Sequence, residues 1–129
     1  MNRFIFIFSF CFSSLIGFSQ QADTLEINSL DIILIKQNGQ IINKEGVEKF
    51  YKAWMNEETD KRYVLAETVQ RHSDFFKGFS RNQMQELFGV RDGKMDDGYY
   101  KLDPKDDESC WAQLLYDDHG FYWLSMGCP

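Results

Sequence analysis

Three observations predict an α+β domain with two or three helices packed on an antiparallel sheet that ends in a C-terminal β-hairpin. Apolar residues recur at helical spacing between positions 43 and 89, and they alternate at strand spacing towards the C-terminus. Asn-Gly and Asp-His-Gly turns separate the apolar runs. The chain of 129 residues is one domain's worth, which excludes a multidomain enzyme. Its 16% aromatic content excludes a disordered chain. Its net charge of -6 argues against a nucleic-acid binder, which needs a basic stripe to displace counterions from phosphates.

The first element is an address. Half of the 12 Phe residues lie within the first 18 positions, behind Arg3 as the only charge. Gly17-Phe18-Ser19 then places small residues at the -3 and -1 positions of a cut before Gln20. A positive start, a short apolar run and a small-x-small exit predict a secretory signal peptide over residues 1–19. A membrane anchor is the rival, but a helix over Phe4–Phe18 would be roughly 22 Å long, short of a hydrocarbon core of about 30 Å. Cys11 follows the large Phe10 inside the apolar run, so it does not form a lipid-attachment motif. The expected mature chain, Gln20–Pro129, is a single domain without a membrane span and carries 13 bases against 20 acids. Its two cysteines, in a secreted or periplasmic protein, are most simply one disulfide.

The elements follow in order. Gln20–Asn28 is polar and is expected to fray. Leu30–Gln37 (LDIILIKQ) is a strand, and Asn38-Gly39 then signals a type I′ hairpin into Gln40-Ile41-Ile42, because that turn needs positive φ at both central residues. The second arm is short, so a strand followed by a loop fits nearly as well. Asn43 can cap a helix to about Asn56, with Val47, Phe50, Tyr51 and Trp54 as its apolar stripe. A second helix, Thr59 to about Gln70, would place Tyr63, Ala66 and Val69 on one face. Asp74–Phe79 is a short packed connection bearing three Phe residues.

Ser80 opens the best-determined helix. Gln83 stands three residues on, as a capping box requires, and Phe79 and Met84 flank the cap as a hydrophobic staple. Leu87 and Phe88 complete the apolar side, and Gly89 is placed for a left-handed end. Arg91–Asp118 carries nine acids against four bases. Within it, Tyr99–Leu102 is a strand and Asp103–Glu108 an exposed loop.

The last two strands, Ser109–Asp117 and Phe121–Cys128, flank Asp118-His119-Gly120, which has the chemistry of a three-residue hairpin loop with Gly at the bulge position. Asp117 then faces Phe121, Tyr116 faces Tyr122, Leu114 faces Leu124 and Ala112 faces Met126. In that register Cys110 meets Cys128, within disulfide reach. Cys110, Ala112, Leu114, Tyr116, Tyr122, Leu124, Met126 and Cys128 share the side that meets the helices. Trp111, Gln113, Leu115, Phe121, Trp123 and Ser125 share the other. Two Trp, a Phe and a Leu exceed what a monomer usually exposes. Either the N-terminal strand or a loop covers this side, or Trp111, Leu115, Phe121 and Trp123 form a partner-binding surface.

Catalytic constellations are sparse. Cys110 and His119 would stand more than roughly 20 Å apart along a strand, too far for a nucleophilic pair. His72 beside Asp74 is most simply a surface or capping pair; in a small hydrolase or metal-dependent enzyme it would act with the acidic loop. Asp92, Asp96, Asp97, Asp103, Asp106, Asp107 and Glu108 could offer oxygens to Ca²⁺, but their spacing is not that of an EF-hand, and a solvated face explains them. No catalytic, cofactor or metal site is therefore predicted.

Ser80–Asp92 (SRNQMQELFGVRD), followed by the aromatic strand at Tyr99-Tyr100, resembles the repeat unit of BamE/SmpA-like and BLIP-like modules. Those are small exported α+β domains in which two helices pack on an antiparallel meander. The similarity runs from Phe79 to about Leu124. It departs at Arg91, where the family often has Pro, and in the absence of a lipobox. The resemblance implies binding of a protein partner, in assembly or inhibition, without catalysis. The acidic balance adds that such a partner would be basic.

Overall fold

A computed structural model describes residues 22–56, 60–90, 99–106 and 108–129. Residues 1–19, expected to be a signal peptide, lie outside them, as do Asp92, Asp96, Asp97 and Asp107 of the calcium reading. Strands β1 (Asp23–Ile27), β2 (Ile32–Gln37) and β3 (Gln40–Ile41) come first. Helices α1 (Lys44–Met55), α2 (Lys61–Arg71), the one-turn α3 (Ser73–Phe76) and α4 (Arg81–Phe88) follow. Strands β4 (Tyr99–Lys101), β5 (Trp111–Asp117) and β6 (Gly120–Gly127) close the chain. The class is α+β as predicted, with two three-stranded antiparallel sheets, β1-β2-β3 and β4-β5-β6, in place of one.

The N-terminal segment is not frayed. Asp23–Ile27 pairs with β2 from Asp23↔Lys36 to Ile27↔Ile32. Leu25 and Ile27 are buried while Asp23, Thr24 and Glu26 are exposed. That is a period-2 pattern carried by only two apolar residues among acids, too short to register as a strand by composition. At the next turn the alternatives resolve to the hairpin. Asn38 and Gly39 take φ of 55° and 76°, and Gln37 pairs with Gln40.

Asn43 does precede α1, but its side chain caps nothing in the helix. Its Oδ1 accepts from the Ile35 N–H at 2.9 Å, and its Nδ2 donates to the Ile33 carbonyl at 2.7 Å. The side-chain amide thus continues the β3 side of the ladder after the backbone has turned into the helix. Phe50 and Trp54 are fully buried, whereas Val47 is half-buried and Tyr51 is 40% exposed. The buried line is Gly46, Phe50, Trp54, at i, i+4 and i+8. Gly46 contributes no apolar mass, so the hydropathy pattern shifted the stripe by one residue.

Helix α2 shows a similar rotation. Leu65, Ala66 and Val69 are buried, but Tyr63 is exposed and Arg62 takes the inward place at 3% exposure. Arg62 Nε donates to the Trp54 carbonyl and Nη1 to the Lys101 carbonyl, both at 2.6 Å. Its guanidinium carbon lies 4.7 Å from the centre of the Trp54 ring. One cation therefore joins the C-terminal end of α1, where the helix dipole is negative, to α2 and β4. A buried charge inside an apolar face is why the periodicity of this helix is weak. The aromatic connection packs as expected. Phe76 and Phe79 are buried edge-to-face with centroids 5.9 Å apart, and Phe76 reaches Phe121 at 6.5 Å.

Helix α4 has its predicted start. Ser80 Oγ accepts from Gln83 N at 3.1 Å, and Gln83 Oε1 accepts from Ser80 N at 2.7 Å. Phe79 and Met84, on either side of the cap, are both buried. Gly89 has φ of 73° as expected, but ψ of -169° takes it out of the left-handed helical region. That extended exit turns the Gly89 carbonyl towards the Tyr100 hydroxyl, which donates to it at 2.7 Å. Replacing Ser80 with Ala should cost about 1 kcal/mol, read as a lowered urea midpoint at unchanged slope.

Candidate functional site on the outer face of the C-terminal sheet

The open end of the β5–β6 hairpin keeps the predicted register. Leu114 faces Leu124, Ala112 faces Met126 and Trp111 faces Gly127. One position beyond the last pair, Cys110 and Cys128 form a disulfide, with Cα atoms 4.1 Å apart. Near the turn the register differs. Asp117 pairs with Gly120 and Tyr116 with Phe121, so the loop is Asp118-His119 and the extra residue is a bulge at Tyr122. His119 N donates to Asp117 Oδ1 at 2.8 Å within that turn.

A contact distant in sequence causes the shift. Gly78 N donates to the Phe121 carbonyl at 2.9 Å, and Phe121 N donates to the Phe79 carbonyl at 2.8 Å. Gly120, at φ of 108°, lets the two backbones meet, since a Cβ there would lie 2.7 Å from the Gly78 carbonyl oxygen. This added pairing turns the Phe121 ring into the core against Phe76 and Tyr116, at 1% exposure. Phe121 is therefore not on the outer face, and Tyr122, expected inside, is 41% exposed at the bulge.

Trp111, Leu115 and Trp123 remain together on the side away from the helices. Leu115 faces Trp123 directly, and Tyr99, Gln113 and Ser125 form the row between that pair and Trp111. Trp123 is 39% exposed, while Trp111 and Leu115 are half-buried. β1 pairs with β2 in the other sheet, and residues 91–98, the loop before β4, lie outside the described residues. Trp111 lies over Gly127, where a Cβ would come within 2.6 Å of its indole Cζ2. Asp117 and Asp118 stand exposed at the turn beside this surface.

Tyr116 sits at the inner edge of the bulge. Burial pushes its hydroxyl up to about 12, Tyr100 adds to the rise, and Arg81, 4.3 Å from the ring centre, opposes it. The unfolded chain ionises near 10.0 while the folded chain holds this proton to about 12. The contribution of Tyr116 to stability is therefore intact below about pH 10 and is lost as pH rises through about 12. Alkaline unfolding followed by tyrosinate absorbance should show this loss, and Tyr116→Phe should flatten it.

The other candidates are dispersed. His72 and Asp74 are both exposed, and the Asp74 carboxylate pairs with Lys77 at 3.3 Å. Cys110 is held in the disulfide. Among the described residues no three of His, Cys, Asp and Glu converge as metal ligands would. A concavity of about 820 Å³ lies elsewhere, between α1 and α4. Ile41, Val47, Tyr51 and Leu87 line it, with Lys52 and Glu86 among its charges, and among the described residues no His, Cys or Ser does. The groove was missed in the sequence because it is a property of how two helices diverge. No family model matches the chain, and no curated protein or solved structure matches it, so its role must be read from its own residues.

Proposed function

We propose that this chain is a small exported, non-enzymatic module that binds a basic protein partner on the outer face of the β4-β5-β6 sheet. The observation that carries this is the company of Trp123: an exposed indole beside Leu115 and Tyr122, with Trp111 two rows along the same face. Tryptophan supplies a disproportionate share of interface energy, and the exposed Trp123 is not among the residues packed into the core. Asp117 and Asp118 at the turn, on a chain of net charge -6, favour a cationic partner through steering. The disulfide fits an oxidising compartment. Among the described residues no helix is long and apolar enough to cross a membrane.

The test is crosslinking in the native envelope and secretion fractions, followed by binding measurements with the purified partner. Trp123→Ala should weaken that complex by about thirtyfold, as loss of a hot spot of about 2 kcal/mol requires. Tyr63→Ala, on the exposed face of α2, should leave it unchanged. Equal binding by wild type and Trp123→Ala removes the proposal.

A further inference from the structure

We propose that the Cys110–Cys128 disulfide is a redox latch, opened by a dithiol reductant, that sets the position of Trp111 without unfolding the domain. The two cysteines are held unequally. Cys110 is half-buried against the core, and its carbonyl accepts from Leu102 N at 2.9 Å, so the β4 side keeps it in place. Cys128 is exposed and follows the last ladder pair of the hairpin, Trp111↔Gly127. Cys128 is therefore the more open of the two to an attacking thiolate.

The first thiolate of the dithiol bonds to Cys128 Sγ, the disulfide breaks, and Cys110 leaves as a thiolate that takes a proton. The second thiol of the reductant then displaces Cys128 as a thiolate, which is protonated in turn. The reductant ends as its own disulfide and the protein as two thiols. Cys110 stays anchored through Leu102, while Gly127 keeps only its terminal ladder pairing with Trp111, free to fray without the crosslink beyond it. The Trp111 indole rests on Gly127 so closely that a Cβ there would displace it. When Gly127 moves, the indole loses its floor and re-seats. The latch needs no partner to operate, so it stands or falls separately from the binding function proposed above.

The test uses the oxidised wild-type domain in buffer without denaturant, treated with dithiothreitol. The three indole N–H signals are followed by NMR, with Trp111→Phe assigning one of them. Reduction should go to completion in the folded protein and shift the Trp111 signal, with those of Trp54 and Trp123 left in place. Amide exchange at the Trp111–Gly127 end should quicken by about tenfold or more, with Leu114 and Leu124 unaffected. Oxidised Gly127→Ala, whose new methyl displaces the indole directly, should shift the same signal before any reductant is added. The proposal is overturned if the disulfide resists dithiothreitol until the domain unfolds. It is equally overturned if reduction unfolds the domain, or leaves the Trp111 signal where it was.

Discussion

Gly46→Ala should destabilise the domain by about 3 kcal/mol, although alanine is favoured over glycine in a helix by about 1 kcal/mol. The reversal comes from where α1 lies. A methyl group on residue 46 would fall onto the main-chain carbonyl oxygen of Ile33 and within 2.6 Å of Asn43 Nδ2. Neither group is the far end of a flexible side chain with somewhere else to go. To admit the methyl, the first turn of α1 must back away from β2. That strains the two hydrogen bonds by which the Asn43 amide holds Ile33 and Ile35, each worth about 1 kcal/mol. Urea unfolding should show the loss as a lowered midpoint, with Glu48→Ala on the exposed side of the same helix within about 0.5 kcal/mol of wild type. A Gly46→Ala protein as stable as wild type would mean that α1 does not approach the strand this closely.

Removing the crosslink with Cys110→Ser and Cys128→Ser together should cost about 3 kcal/mol and lower Tm by roughly 10 °C. The sequence separation of 18 sets this size, because the bond closes a loop of intermediate length in the unfolded chain. The hairpin register places Cys128 next to Cys110, one position beyond the last ladder pair, so the bond forms without rearranging the strands it follows. Calorimetry of oxidised wild type, reduced wild type and the double variant should give nearly coincident transitions for the last two. An unchanged Tm in the double variant would show that the unfolded chain is equally confined without the bond.

The sequence was most legible where the signal was local. Ser80 and Gln83 satisfy one another across a single helical turn, and Asn38-Gly39 needs only its own φ angles, so both formed as written. The Cys110–Cys128 pairing was also readable, because it lies on the side of the bulge where one register governs the hairpin. It was less legible wherever a residue without apolar mass holds an inward position. Gly46 and Arg62 are such residues, and each rotated the expected face of its helix, exposing Tyr51 and Tyr63 in turn.

For the candidate site, residue type and strand alternation placed Trp111, Leu115 and Trp123 on one face, because alternation is intrinsic to a pleated backbone. They could not place Phe121. Its position depends on Gly78 and Phe79, some forty residues earlier, whose backbone groups bond to Phe121 and force the extra residue out at Tyr122. The same limit applies to β1, whose short pattern acquires meaning only beside β2. The sequence by itself determined the α+β class, the capped helix, the open end of the C-terminal hairpin and the disulfide, since each is decided by chemistry among neighbours or by strand period. Tertiary structure alone decided that Phe121 turns inward and Tyr122 outward, because hydrogen bonds between distant backbone segments outweigh the preference of a single turn.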